Sequence, residues 1–233
     1  MTRLTSELAD NRLGWRGLPK LMLYIGCIAS GTADGCMATA GGQTLLMHAD
    51  SSYETAYAWD EGNYHPDYGA FAERYEGHAS IGAIVLDLTS TPGYNESTLD
   101  AYVWGDEGGK PGDVLFAVYG ISDIITGQWP AVARNVVALL QPPCVEGTWW
   151  VGYWGDYVGG WVIPFFVGAD LDGPGGGFPA TKIAPGQGYP TGWQDVSVRW
   201  GPTAALGIGA EVDSCPPTPT QDTTWGEIKG LFR

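Results

Sequence analysis

Apolar and polar residues alternate along much of this chain in runs of six to nine residues, each closed by Gly, Pro, Asn or Asp. A period of two is the signature of a half-buried β-strand, because successive side chains point to opposite faces. Ten segments fit: Tyr53–Trp59, Ala70–Tyr75, Ile81–Leu88, Leu99–Trp104, Val114–Tyr119, Val132–Leu140, Thr148–Trp154, Trp161–Val167, Asp195–Trp200 and Ala205–Val212. Within Leu99–Trp104, Leu99, Ala101 and Val103 share one face, and Asp100, Tyr102 and Trp104 share the other. Short strands at regular spacing, with no helical period between them, predict an all-β antiparallel two-sheet sandwich of jelly-roll type.

The pattern divides the chain into three. Residues 1–42 are irregular and read as an arm or leader, with an apolar run from Leu18 to Ile28 that Lys20 interrupts. That run is too short to span a bilayer. Residues 43–213 form the sandwich. Residues 214–233 open with a Pro/Thr linker and close on Thr224-Trp225-Gly226-Glu227, which has the form of a helix capping box. Trp225, Ile228, Leu231 and Phe232 follow at helical spacing. A short amphipathic tail helix holds in water only if this stripe is buried, so the tail is expected to dock on its own domain or a neighbouring copy.

Composition sharpens the class. The chain carries 36 Gly and 16 Pro, which supply its turns, and 26 acidic against 11 basic residues, a formal charge of −15. No stretch gathers Lys and Arg, so nucleic acid and anionic membrane surfaces are poor partners, and no membrane insertion is expected. The four cysteines fit no metal spacing and suit two disulfides in an oxidising, extracellular or cell-surface compartment. If Thr148–Trp154 and Ala205–Val212 pair antiparallel, Cys144 meets Cys215, which leaves Cys27 to bond Cys36.

Candidate chemistry is sparse. The histidines His48, His65 and His78 lie near no nucleophile motif, and no Gly-x-Ser-x-Gly or His-x-x-x-His occurs. Glycoside hydrolysis needs only two carboxylates across a cleft, which Glu54, Glu73, Asp156 and Glu211 could offer on paper. Asp170-Leu171-Asp172-Gly173 places Asp170 and Asp172 on one side of an extended segment, an arrangement suited to calcium or to an ordinary Asp-Gly turn. A polar, Gly-rich stretch from Asp170 to Trp193 reads as a long loop. The unusual feature is aromatic: 11 Trp and 12 Tyr, dense from Trp149 to Trp161. On a strand, Trp149, Val151 and Tyr153 share one face, and Trp150, Gly152 and Trp154 share the other. One face belongs to the core. The other lies under a loop or forms a platform on which Trp154, Tyr157, Trp161 and Trp193 stack against a sugar, with Gly152 leaving space between Trp150 and Trp154.

Several stretches carry a resemblance. Pro66–Arg74, Leu99–Trp104 with Pro111–Leu115, Trp149–Gly155 and Thr181–Trp193 resemble a β-rich module of large predicted exported proteins of bacteria, and the likeness spans roughly Ser51 to Val212. The ending Thr224–Arg233 resembles short tails that close such proteins. The resemblance implies export and a surface role, and it implies no catalytic residue. Residue pattern and resemblance together predict a non-catalytic extracellular module. It is a structural unit of a surface layer, appendage or filament, with copies of itself as partners, or a carbohydrate-binding adhesion module, with glycans as partners. The alternative is a glycan-active hydrolase using paired carboxylates.

Overall fold

The computed structural model describes residues 2–5, 42–59, 68–91, 98–156 and 165–216. They form two sheets. The strands are β1 (Thr2–Thr5), β2 (Thr44–Met47), β3 (Thr55–Ala58), β4 (Phe71–Glu76), β5 (Ala79–Ser90), β6 (Thr98–Asp106), β7 (Pro111–Ile121) and β8 (Gly127–Gln128). They continue with β9 (Ala133–Ala138), β10 (Cys144–Val145), β11 (Thr148–Asp156), β12 (Phe166–Asp170), β13 (Ala180–Ile183), β14 (Gly192–Asp195), β15 (Ala205–Leu206) and β16 (Ile208–Asp213). One short helix, α1 (Ser197–Trp200), lies between β14 and β15.

The first sheet runs β1-β3-β12-β5-β16-β2, and β8, β9 and β10 also pair with β5. Strand β5 is its spine: Leu86 pairs with Ile208 on one edge and Asn135 on the other, and Leu88 with Val167 and Ala133. The second sheet runs β14-β13-β4-β11-β6-β7. All pairings are antiparallel except the two-residue contact of β5 with β8. The predicted all-β two-sheet sandwich is the observed fold.

Period two sorts the core. Phe71 and Tyr75 of β4, Leu99, Ala101 and Val103 of β6, and Trp149, Val151 and Tyr153 of β11 face the first sheet. They meet Ile84, Leu86 and Leu88 of β5 and Ile208 and Ala210 of β16 in one buried cluster. Burying a large side chain stabilises by about 1.5–3 kcal/mol relative to leaving it exposed, so this layer dominates the stability. The other faces of β6 and β11 carry Tyr102, Trp104, Trp150 and Trp154, a second cluster on the outside of the second sheet.

Three expectations change. Asp195–Trp200 is not a strand: the Asp195 carboxylate accepts the Ser197 N–H, and the Val196 carbonyl accepts the Arg199 and Trp200 N–H groups. A turn of helix therefore places both Val196 and Trp200 in the core, where Trp200 stacks on Tyr57 at 4.7 Å. The stretch from Asp170 to Trp193 is not one loop, since β13 and β14 form a hairpin within it that extends the second sheet beyond β4. And β11 does not pair with β16; they belong to different sheets. Cys144 and Cys215 are nonetheless bonded, with Cα atoms 5.7 Å apart. Ser80 of β5 explains it, pairing with Cys144 on one side and Asp213 on the other. Cys27 and Cys36 lie outside the described residues, as do Trp225, Ile228, Leu231 and Phe232.

Candidate functional site

The distinctive local structure is a short Gly-rich segment, Asp170 to Phe178, held at both ends by buried carboxylates. Asp170 closes β12 and is fully buried. Its Oδ1 accepts the N–H groups of Asp172 at 3.1 Å and Gly173 at 2.6 Å, and its Oδ2 accepts the Asp50 N–H at 3.0 Å. The carboxylate lies so close to Gly173 that a Cβ there would clash with it, which is why the turn needs glycine. Glu54 adds a further clasp, its Oε2 accepting the Leu171 N–H at 2.8 Å.

Glu73 holds the other end. It occupies an inward position of β4 between Phe71 and Tyr75, where the period of two calls for an apolar residue, and it is fully buried. Its Oε1 accepts the Phe178 N–H and its Oε2 the Leu206 N–H at 2.8 Å, so one side chain joins β4, β15 and the end of the segment. Burial pushes its pKa up to about 8, against the opposing pull of these backbone N–H groups.

Beside this segment lies a cleft of about 660 Å³ walled by Leu45, Leu46 and Met47 of β2, by His48, and by Phe178. The Arg74 guanidinium sits 3.3 Å above the centre of the Phe178 ring and 3.6 Å from Glu76. His48 stacks on Tyr75 at 4.7 Å and donates from Nε2 to the Arg74 carbonyl at 2.9 Å. Burial raises the Tyr75 phenol, whose hydroxyl donates to the Ile208 carbonyl.

A smaller groove of about 190 Å³, which Phe178 also lines, borders the outer aromatic layer and is lined by Lys110, Trp150, Trp193, Gln194 and Asp195 among others. Trp193 is half-buried and meets Trp104 edge-on at 5.3 Å, with the Lys182 ammonium 6.0 Å from its ring centre. Trp150 donates from its indole to Asp106 at 2.9 Å. Trp154 donates to the Tyr68 carbonyl at 3.0 Å and is only 3% exposed.

Of the predicted sugar platform, Trp154 and Trp193 thus belong to one aromatic layer, the first enclosed and the second reaching the surface; Tyr157 and Trp161 lie outside the described residues. The space at Gly152 is taken by protein, because a Cβ there would meet Ala72 Cα at 2.8 Å and clash with the Phe71 carbonyl. Asp170 and Asp172 do lie together, with Glu54, their nearest oxygens within 4.8 Å of one another. Glu54 and Asp170 also accept backbone N–H bonds from this turn, at Leu171 and at Asp172 and Gly173.

The carboxylates weighed for hydrolysis occupy separate places among the described residues. Glu73 is sealed in the core, Glu54 clasps Leu171, Glu211 lies on β16 paired with Leu45 and Ala83, and the Asp156 side chain is outside the described set. Sequence reasoning missed His48, Arg74, Phe178, Lys110, Gln194 and Asp195 as wall residues. Only Glu73 carried a readable signal, an acid in an inward register.

No protein-family model, no curated protein and no solved structure matches this chain.

Proposed function

We propose that the chain is a non-catalytic module of the cell exterior that binds carbohydrate at the groove between Lys110, Trp193 and Asp195. One observation carries the reading: an aromatic layer of Tyr102, Trp104, Trp150, Trp154 and Trp193 lies on the outer face of the second sheet, apart from the core between the sheets. The packing of the two sheets does not require aromatic rings there. Trp193 is half-buried in the groove lining, while Lys110, Gln194 and Asp195 supply donors and acceptors for sugar hydroxyls, the combination of apolar surface and a few polar groups that a sugar ring needs. The Cys144–Cys215 bond supports an oxidising compartment. Glycan-array screening followed by calorimetry tests the site: Trp193→Ala should weaken binding about tenfold or more, a loss of at least 1.4 kcal/mol. Unchanged affinity for every glycan bound by the parent chain would remove the groove from consideration.

A structural role in an assembly is favoured by a different observation. Strand β7 is the outer strand of the second sheet, exposes Val114, Leu115 and Tyr119, and carries Asp113 as the one charged residue between Pro111 and Ile121. An apolar edge of this kind invites strand addition, although its irregular pairing with β6 restricts the regular stretch to Phe116–Val118.

A further inference from the structure

Taking the carbohydrate reading of the groove at Trp193 as the premise, we propose that Phe178 is the central contact of an extended site for a neutral oligosaccharide, which crosses it into the cleft beside β2. Phe178 is 46% exposed, yet it is held at two points. Its N–H donates to the fully buried Glu73, and the Arg74 guanidinium stands 3.3 Å from the centre of its ring. A surface ring fixed in this way has already lost the freedom that a ligand contact otherwise costs, so it is pre-organised for binding.

Size points beyond the groove. Its volume of about 190 Å³ lies below the roughly 300–1,000 Å³ of sites that enclose a small molecule, whereas the cleft, at about 660 Å³, lies within that range. Phe178 is the one residue that lines both. A ligand seated in the groove alone is held along a short stretch, and one that continues over Phe178 gains the larger concavity.

Charge narrows the class. Residues 42–216 hold 21 acidic against five basic residues, a formal −16, yet each concavity carries one residue of each sign. Lys110 and Asp195 line the groove; Arg74 and Glu76, 3.6 Å apart, line the cleft. A balanced lining suits an uncharged ligand, and the field of the surrounding acidic domain repels an anionic one. The cleft also has the polar groups that hydroxyls need. His48 donates from Nε2 to the Arg74 carbonyl, so in the neutral ring Nδ1 is left as an acceptor, beside Gly176 of the lining. Nδ1 and the Glu76 carboxylate accept, the Arg74 guanidinium donates, and Leu45 and Met47 offer apolar surface to the C–H faces of a sugar ring.

The test is calorimetry on the full chain with oligosaccharides of glucose, mannose, galactose, xylose and N-acetylglucosamine from one to six rings, and with oligogalacturonates of the same lengths. A neutral series should bind, with affinity rising at least tenfold from one ring to three, and the galacturonates should bind more weakly. Leu45→Ser combined with Glu76→Gln, both exposed positions of the cleft, should weaken the three-ring ligand at least fivefold and leave the single sugar unchanged. Phe178→Ala should abolish the gain with length, and Phe178→Tyr, which keeps the ring, should retain it; thermal melts separate lost contacts from lost folding. Affinity that is flat beyond one ring, cleft variants that bind three rings like the parent, or a preference for galacturonates would each overturn the extended site. If Trp193→Ala still weakens the single sugar in that event, the groove reading stands alone, whereas binding of no neutral series removes both.

Discussion

Glu73 is a carboxylate fully buried in the core. Its folded-state pKa, raised by burial to about 8 from an ordinary 4.5, means that the folded chain holds a proton the unfolded chain has released between those values. Stability therefore falls as pH rises from about 4.5 to 8 and levels off above, by an amount on the order of 5 kcal/mol. Urea titrations between pH 5 and 9 should show that slope in the parent chain and lose it in Glu73→Gln. The variant also leaves either the Phe178 or the Leu206 N–H facing an amide NH₂, at a cost of about 1–3 kcal/mol at low pH. A second buried acid behaves differently. Asp87 accepts both Arg134 Nε at 2.8 Å and Nη2 at 2.7 Å, and the Tyr53 hydroxyl at 2.6 Å. This bond and burial raise the Tyr53 phenol, burial contributing more, and the same carboxylate raises Arg134. Asp87→Ala leaves the partly exposed Arg134 and the Tyr53 hydroxyl without their acceptor, and thermal melts should show a loss of roughly 1–3 kcal/mol. Neither role was legible from residue type alone. An inward register marks Glu73 as unusual, but its partners come from 105 and 133 positions away.

Individual elements were legible where alternation was strong and long. The faces of β6 and β11 could be assigned from Leu99, Ala101 and Val103 against Tyr102 and Trp104, because each strand has one face in the core. Some short elements escaped: β2 and β13, of four residues each, offer too few alternations for a period to register among neighbouring glycines and prolines. Helix α1 imitated a strand because Val196 and Trp200 are four apart, a spacing that puts them on one face of either structure. The candidate site was legible only in part for the same reason. Trp193 stood out by type, yet its neighbours Lys110 and Asp195 come from a hairpin turn and from a strand that was not anticipated. At this scale β7 also makes a definite prediction. Leu115→Lys places a charge on an exposed edge, where natural sheets use lysine to prevent pairing. Sedimentation at high concentration should show reduced association relative to the parent, with an unchanged monomer; association unaffected by the lysine would exclude β7 as a contact.

Across the described residues the two sheets differ in what they leave free: the first ends at β2 beside a cleft, and the second presents an aromatic layer and an outer strand, β7, whose one charge is Asp113. Net charge sits almost entirely between residues 42 and 216, so contacts between copies are repulsive except where such sparsely charged surfaces meet. The covalent link from Cys144 to Cys215 spans a sequence separation of 71 residues, which contains β11 to β16 and with them the lining of the small groove beside Trp193 except Gly109 and Lys110. Under tension applied along the chain, force entering near residue 216 passes through sulfur to β10 and does not travel through the enclosed strands. Those 71 residues are thereby withheld from extension, a length of roughly 240 Å at 3.4 Å per residue. Pulling single molecules before and after reduction should reveal that added contour length. A chain built this way lengthens under load only by the residues outside the loop, and cleavage of one bond releases the rest, so its reach when unfolded is set by the redox state of its surroundings.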